Sequence, residues 1–370
     1  MGKRILIPYL PAGLGHLILA RAIAHYVHRM RPDWDVRLMD AARDLDDELM
    51  RKTFVDMWRV FLRMPHILSS AVFALERLAP GLTRALNLRS FRTAVPKAAA
   101  YLAAQKPDLI MSTHWACSHL FSLAQGEPRI PHFYIYGELR ATYSVINCGA
   151  DLYFTLSARV EEGLARRGVD PARMQRVPMV VDPHMVTSDM PRDVLRRGLG
   201  IPQDNLVVVL SLGGEGIGHM LPFIEAFACD VKGASLIVLT GRNAKSLSRI
   251  QGRIRSDSVI AMGYQEDISG IIAAADVLAG KCGTGYAMMA IATAIPLIVT
   301  HLAAPNERAN MQHIVENGHG WYCPRPRRFA KRVSALVRDR AGCRDSTGRA
   351  AADRRNGAED IAAAIVDSLA

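Results

Sequence analysis

The stretch "LPAGLGHLILARAIA", Leu10 to Ala24, sets His16 behind two glycines, Gly13 and Gly15, at the junction of an apolar run and a helical pattern. An imidazole titrates near neutrality, so it can take a proton from an attacking group; it can equally cap the helix or contact backbone. Two glycine turns lie further on. "VVVLSLGGEGIGHMLPFIEAF" carries Gly213, Gly214, Glu215, Gly216 and Gly218 between an apolar run and a helix. Glycines at such a junction let backbone approach a ligand and aim N–H groups at it, although close helix–strand packing also needs glycine. The stretch lacks the GxGxxG order of a nicotinamide site, Glu215 would oppose a pyrophosphate, and no GK[ST] follows as in a P-loop. "GKCGTGYAMMAIA" places Gly283, Thr284 and Gly285 at a helix start, where the amides of Gly283 to Tyr286 suit a diphosphate. "APNERANMQHIVENGHG" then supplies Glu307 and Asn310, side chains able to accept from and donate to sugar hydroxyls.

These residues need elements to place them. Short apolar runs alternate with helical patterns: "RILIPYL", "DVRLMD", "PDLIMST", "HFYIYG" and "DLYFTLS", then "NLVVVLSLG", "SLIVLTG", "SVIAMGY", "DVLAGK" and "PLIVTH". Buried parallel strands separated by helices predict α/β doubly wound architecture. The proline-rich and charged stretch around residue 183 reads as a linker. The predicted organisation is a first domain over 1–183, a second over 184–345, and a C-terminal helix within 346–370 that returns to the first. Two such domains facing a cleft would bind ligands at the carboxyl ends of their strands.

Composition bounds the partners. The 370 residues carry a formal charge of +11, so an anionic partner is expected. Nucleic acid is disfavoured, because only Phe329 interrupts the basic residues of the 323–355 stretch. Six cysteines without CxxC spacing predict a reducing, cytoplasmic setting and no structural zinc. Neither a signal-peptide pattern nor an eighteen-residue apolar run is present, which predicts a soluble or peripheral protein. Between Phe54 and Phe91, apolar residues mix with arginines, a pattern suited to helices on an anionic membrane surface or to an ordinary amphipathic pair packed on the sheet.

The order of the glycine turns, "PNERAN…VENGHG" and "ADLYFTLSARVEEGLARRGVDPARMQRVPMVVDP" resemble the GT-B glycosyltransferases that include monogalactosyldiacylglycerol synthase and bacterial diacylglycerol glucosyltransferases, and more distantly the lipid II-forming N-acetylglucosaminyltransferase. The resemblance implies an inverting, metal-independent transfer, without a cofactor, from a nucleotide sugar, usually a UDP-sugar, to a lipid or prenyl-linked acceptor. It implies that His16 is the general base, with Gly13 and Gly15 on the acceptor side. The donor would be held by Gly213, Gly214, Glu215, Gly216 and Gly218, by Tyr264 and Gln265 at the base, by Gly283, Thr284 and Gly285 at the diphosphate, and by Asn306, Glu307 and Asn310 at the sugar.

Two departures mark this chain. Met289 stands where the family has a glutamate for the ribose hydroxyls, and a thioether cannot accept those bonds in the same way. "YIYGELRATYS" replaces a Thr-Asp pair and leaves Glu138 as an acidic stand-in that could orient His16 or the acceptor. Lys281 and Arg242 could add positive charge near phosphates. Two alternatives share the architecture: a nucleotide-sugar epimerase, and a non-catalytic nucleotide-sugar or lipid-binding relative.

Overall fold

The run "LVVVLS" is buried along its whole length, and its side chains alternate between two apolar layers. Leu206, Val208 and Leu210 join a core with Phe223, Phe227 and Phe329; Val207 and Val209 join another with Ile237, Leu278 and Met289. A strand apolar on both faces belongs in the middle of a sheet covered by helices, and each such side chain contributes about 1.5–3 kcal/mol through burial.

The computed structural model describes residues 2–63, 71, 74–75, 78–139, 148–211, 213–214, 216, 219–304, 307–340 and 355–370. Among them the chain divides into one unit of Met1–Val180 with Arg355–Ala370 and another of Val181–Arg354. The first contains β1 (Arg4–Tyr9), β2 (Asp35–Asp40), β3 (Leu109–Ser112), β4 (His132–Tyr136), β5 (Leu152–Thr155) and β6 (Met174–Arg176), in the order β2-β1-β3-β4-β5-β6. The second contains β7 (Leu206–Ser211), β8 (Ala234–Leu239), β9 (Val259–Met262), β10 (Val277–Lys281), β11 (Leu297–His301) and β12 (Gly320–Tyr322), in the order β12-β11-β10-β7-β8-β9. Neighbours pair in parallel throughout. Both units are Rossmann-like.

Each order reverses once, between β1 and β3 in the first sheet and between β7 and β10 in the second. At such a switch point adjacent strands send their helices to opposite faces and leave a crevice at their carboxyl ends. The turns holding His16, Gly213 and Gly283 all follow switch-point strands.

The last helix, Gly357–Ser368, is capped by Asn356, whose Oδ1 accepts from the Ala358 amide at 3.1 Å. It buries Ile361, Ala362 and Ile365 and packs on the helix Gly15–Met30 of the first unit. Glycine is required at 357, because a Cβ there would lie 2.1 Å from Pro178 O. No described helix is long and apolar enough to cross a membrane.

Candidate functional site

In the first unit, β1 ends at Tyr9 and the chain turns through Gly13, which is exposed with φ +85°, into the helix Gly15–Met30. His16 is the second residue of that helix. Its Nδ1 lies 2.7 Å from Thr113 O, while Thr113 Oγ1 donates to His16 O at 3.0 Å. Thr113 is itself fixed, fully buried, with its amide donating to Pro8 O at 3.2 Å. A carbonyl can only accept, so Nδ1 carries the ring proton and the lone pair is left on Nε2. His16 therefore contacts backbone with one nitrogen and presents a base with the other.

His114 packs against it, with ring centroids 4.4 Å apart at 64°. Its Nδ1 accepts from the Ala116 amide at 3.0 Å and so caps the helix Trp115–Ala124. Burial lowers the His16 pKa, and the bond to Thr113 O opposes that only in part. Burial, then the neighbouring His16, takes His114 well below the ordinary value. Both rings are thus neutral near pH 7.

No Cβ added at Gly15 or Gly13 would meet an atom within 4 Å. Gly15 is thus not demanded by packing. Glu138 is half-buried in the loop after β4. A Cβ on the preceding Gly137 would lie 2.6 Å from Leu19 Cδ1, so this loop runs along the His16 helix one turn beyond His16. Holding Nδ1 of His16, a task considered for Glu138, falls to the Thr113 carbonyl. Sequence reasoning passed over Thr113 and His114, because nothing local marks them; β1–β3 pairing brings them to His16.

The next aromatic neighbours lead outward. Trp115 stacks beside His114 and meets Phe54 edge-on at 5.4 Å, and Phe54 stacks on Phe91 at 5.2 Å. Phe54 sits in a π-helical turn, Arg51–Asp56, a rare geometry. Beyond it Leu82 and Leu86, four apart on the helix Pro80–Ser90, and Leu75 and Leu78 ahead of its N-cap Ala79 are all more than half exposed, Leu78 by 81%. The Phe54–Phe91 segment therefore exposes several leucines among its described residues. Ile67, Leu68, Val72, Phe73 and Arg77 of that segment lie outside the described residues.

In the second unit the glycine turn after β7 is held by its own neighbours. The Gly213 amide donates to Ser211 Oγ at 3.2 Å and the Gly216 amide to Gly213 O at 3.0 Å, while Gly214 O accepts from the Arg242 amide at 2.8 Å. A Cβ on Gly216 would lie 2.0 Å from Thr240 O. Gly216 thus serves close backbone packing, and its amide and that of Gly213 are not free for a ligand, contrary to expectation. Glu215, Gly218 and Asn306 lie outside the described residues. Tyr264 and Gln265 follow β9 and are exposed, with the Arg242 guanidinium 4.2 Å over the Tyr264 ring.

The helix Thr284–Ala292 starts at Gly283 without a side-chain cap and without an acid in its first turn. Tyr286 and Ala287 amides both donate to Gly283 O at 3.0 Å, so the Tyr286 amide, expected at the diphosphate, is engaged within the turn itself. Asn310, wholly buried, donates from Nδ2 to Cys282 O at 3.0 Å and Thr284 Oγ1 at 3.1 Å. Asn310 therefore braces the turn, a different task from meeting sugar. Glu307, 4% exposed, accepts from Lys281 Nζ at 3.2 Å and from the Ala303 amide at 2.7 Å. Both oxygens of the carboxylate expected at the donor sugar are engaged. Met289, 3% exposed, lies in the apolar layer and shows no face to a ribose.

Two Rossmann-like units with ligand-type turns at their switch points define the GT-B architecture. No protein-family model matches the chain. Among curated proteins it is similar to a probable monogalactosyldiacylglycerol synthase 2 of Oryza sativa subsp. japonica, 23% identical over 240 residues, 62% of this chain and 51% of that one. It is also similar to the monogalactosyldiacylglycerol synthase of Spinacia oleracea, 28% identical over 185 residues, 48% and 35% of the two chains. The resemblance expected from the motifs is shown for the monogalactosyldiacylglycerol synthases, to which the chain is similar at 23–28% identity. The chain spans about half or less of the length of these two relatives.

Solved structures share the fold across the whole chain. They include the glycosyltransferase SnogD from Streptomyces nogalater (TM-score 0.59, 14% identity, 100% of both chains) and Anabaena HepE in complex with UDP-glucose (0.60, 17%, 99% of both). The Neisseria meningitidis UDP-GlcNAc 2-epimerase bound to UDP-GlcNAc is a third (0.63, 12%, 100% and 99%).

Proposed function

We propose that the protein is an inverting glycosyltransferase that moves a sugar from a nucleotide sugar, UDP-linked, to a hydroxyl of a lipid or prenyl-linked acceptor. The observation that carries this reading is His16, whose Nδ1 is held by Thr113 O so that Nε2 keeps its lone pair. In the reaction the acceptor hydroxyl gives its proton to Nε2 while its oxygen bonds to the anomeric carbon. The bond from that carbon to the diphosphate oxygen breaks, the electron pair leaves with the diphosphate, and configuration inverts. The positive end of the helix Thr284–Ala292, which has no acid in its first turn, meets the departing charge. The reading assigns no metal and no cofactor.

The similarity to monogalactosyldiacylglycerol synthases supports a lipid acceptor. The exposed Leu75, Leu78, Leu82 and Leu86, in a chain of charge +11, support work at an anionic membrane face, which the reading places on the cytoplasmic side. Gly13, Gly15 and Glu138 belong to the acceptor side, and Tyr264 and Gln265 to the nucleotide base.

The deciding assay offers UDP-glucose, UDP-galactose or UDP-N-acetylglucosamine with vesicles containing diacylglycerol or a polyprenyl phosphate lipid. A glycolipid with inverted anomeric configuration is expected. An epimerised sugar nucleotide formed without acceptor, or nucleotide binding with neither transfer nor hydrolysis, would replace the reading with one of its two alternatives.

A further inference from the structure

His114 packs on the proposed base, yet the reaction described above gives it no task. Backbone decides where its proton sits. Its Nδ1 accepts from the Ala116 amide at 3.0 Å, and an amide can only donate, so the neutral ring carries its hydrogen on Nε2. His16 is the reverse: Nδ1 donates to Thr113 O at 2.7 Å and Nε2 keeps the lone pair. Thr113 and Ala116 flank His114 in the chain, so one stretch of backbone imposes opposite tautomers on two touching rings. The rings meet at 4.4 Å and 64° without a hydrogen bond between them, and among the described residues neither Nε2 has a partner. Burial lowers the pKa of both, and His114 is only 5% exposed, so both stay neutral near pH 7. A nitrogen that can only accept and a nitrogen that can only donate are thus left unpaired on adjoining rings.

We propose that His114 orients the acceptor: its Nε2–H donates to the oxygen of the reacting hydroxyl while that hydroxyl donates to His16 Nε2. The inference rests on the glycosyl-transfer reading above and deepens it by naming the group that sets the direction of the hydroxyl. A hydroxyl has one hydrogen and two lone pairs. With the hydrogen on His16 and one lone pair on His114, the second lone pair is left to bond to the anomeric carbon. As the hydrogen passes to His16 Nε2, the electron pair of the O–H bond stays on the oxygen, and the His114 hydrogen stays where it is. The roles cannot be exchanged, because His16 Nε2 has no hydrogen to give and His114 Nε2 has no lone pair to receive one. Two hydrogen bonds of about 2.9 Å to one oxygen reach across rings in contact, so the hydroxyl is aligned before the donor sugar meets it.

The test is steady-state transfer from UDP-glucose, UDP-galactose or UDP-N-acetylglucosamine to vesicles containing diacylglycerol or a polyprenyl phosphate lipid, with thermal unfolding beside it. Asparagine sets its Oδ1 where histidine has Nδ1, so His114→Asn keeps the bond to the Ala116 amide and withdraws the donor. Glutamine sets its amide nitrogen where histidine has Nε2, so His114→Gln keeps the donor and weakens the cap. His114→Asn should lower kcat/KM for the acceptor at least about tenfold, leave KM for the nucleotide sugar within about twofold, and hold its melting temperature. His114→Gln should recover most of that loss although it unfolds a few degrees earlier. A capping role alone predicts the opposite order, and lost ring packing on His16 predicts equal impairment of both; either result overturns the proposal. If either variant fails to fold, nitrogen-15 ring spectra of the wild type decide. His114, identified by contact of its ring with the Ala116 amide, should hold its hydrogen on Nε2, and that signal should shift when acceptor vesicles are added. A hydrogen on Nδ1, or a signal unmoved by acceptor, overturns the proposal alone. A wild type that transfers to neither lipid overturns the glycosyl-transfer reading, and this inference with it.

Discussion

His16 and Thr113 are bound to each other twice, ring Nδ1 to carbonyl oxygen at 2.7 Å and hydroxyl to carbonyl oxygen at 3.0 Å, although 97 residues separate them. This reciprocal pair fixes both the place of the imidazole and the nitrogen that stays basic. Replacing His16 by alanine should reduce kcat about 10²- to 10⁴-fold and leave UDP affinity within about twofold. Steady-state kinetics with titration of UDP measures both; a variant with wild-type turnover removes His16 from the mechanism.

The same burial sets the acid limb of activity. Because the folded pKa of His16 lies below 6.5, the base is free at pH 7. kcat/KM should fall about tenfold per unit only below that lowered pKa, with a midpoint under 6.5. A midpoint at or above 6.5 would mean that another group controls the limb.

Stability follows the same sign. His132 is drawn down to about 3, chiefly by burial, and His114 also lies well below the ordinary value. Above pH 6.5 both states are neutral at these rings and the contribution is fully present. As pH falls from 6.5 toward 3 the unfolded chain takes the protons, so the first unit loses up to about 1.4 kcal/mol per unit at His132, and likewise at His114 until its own lowered pKa is reached. Urea unfolding at pH 7.5 and 5.5 should show the loss, and His132→Asn should remove about one proton from the slope. Equal stability at the two pH values would count against neutral buried histidines.

Glycines in similar-looking turns should part company. Gly15→Ala adds a methyl into open space on the first turn of a helix, so stability should stay level or rise by up to about 1 kcal/mol. Transfer to a lipid acceptor should nonetheless slow. Gly216→Ala, with φ +60° and Thr240 O in the way, should cost about 3 kcal/mol or more. Thermal unfolding beside the transfer assay separates the two; a destabilised Gly15→Ala would show that packing, not ligand access, requires that glycine.

Met289 tests whether the second unit could regain a ribose carboxylate by one substitution. Its side chain lies in the layer formed with Val209, Ile237 and Leu278, so Met289→Glu buries a charge without a partner and should cost at least about 3 kcal/mol. Met289→Leu should cost less than about 1.5 kcal/mol. Tighter UDP binding by a fully stable Met289→Glu protein would refute the buried placement.

Legibility in the sequence tracked the length and locality of each signal. Most of the ten runs stood out because a strand buried on both faces is apolar along its length, as in Leu206–Ser211; Asp35–Asp40, at a sheet edge, is exposed at Asp35 and Arg37. The edge strands Met174–Arg176 and Gly320–Tyr322 did not, since three residues carry no period. The glycine turns were visible, but their division of labour was not. Gly216 packs on Thr240, and that contact depends on β7–β8 pairing. Lys281 and Glu307 likewise meet only because β10 and β11 are neighbours. Local chemistry was readable, and partnerships made by the sheet were not.

The helix Gly357–Ser368 lies against the helix that starts at Gly15 and carries His16. During synthesis the whole Val181–Arg354 unit leaves the ribosome before the Gly357–Ser368 segment, so the helix that carries His16 waits, one apolar side uncovered, for that segment. Maturation of the proposed base is therefore tied to completion of the proposed donor unit. A nascent chain released before residue 357 would carry His16 on a scaffold without that supporting helix.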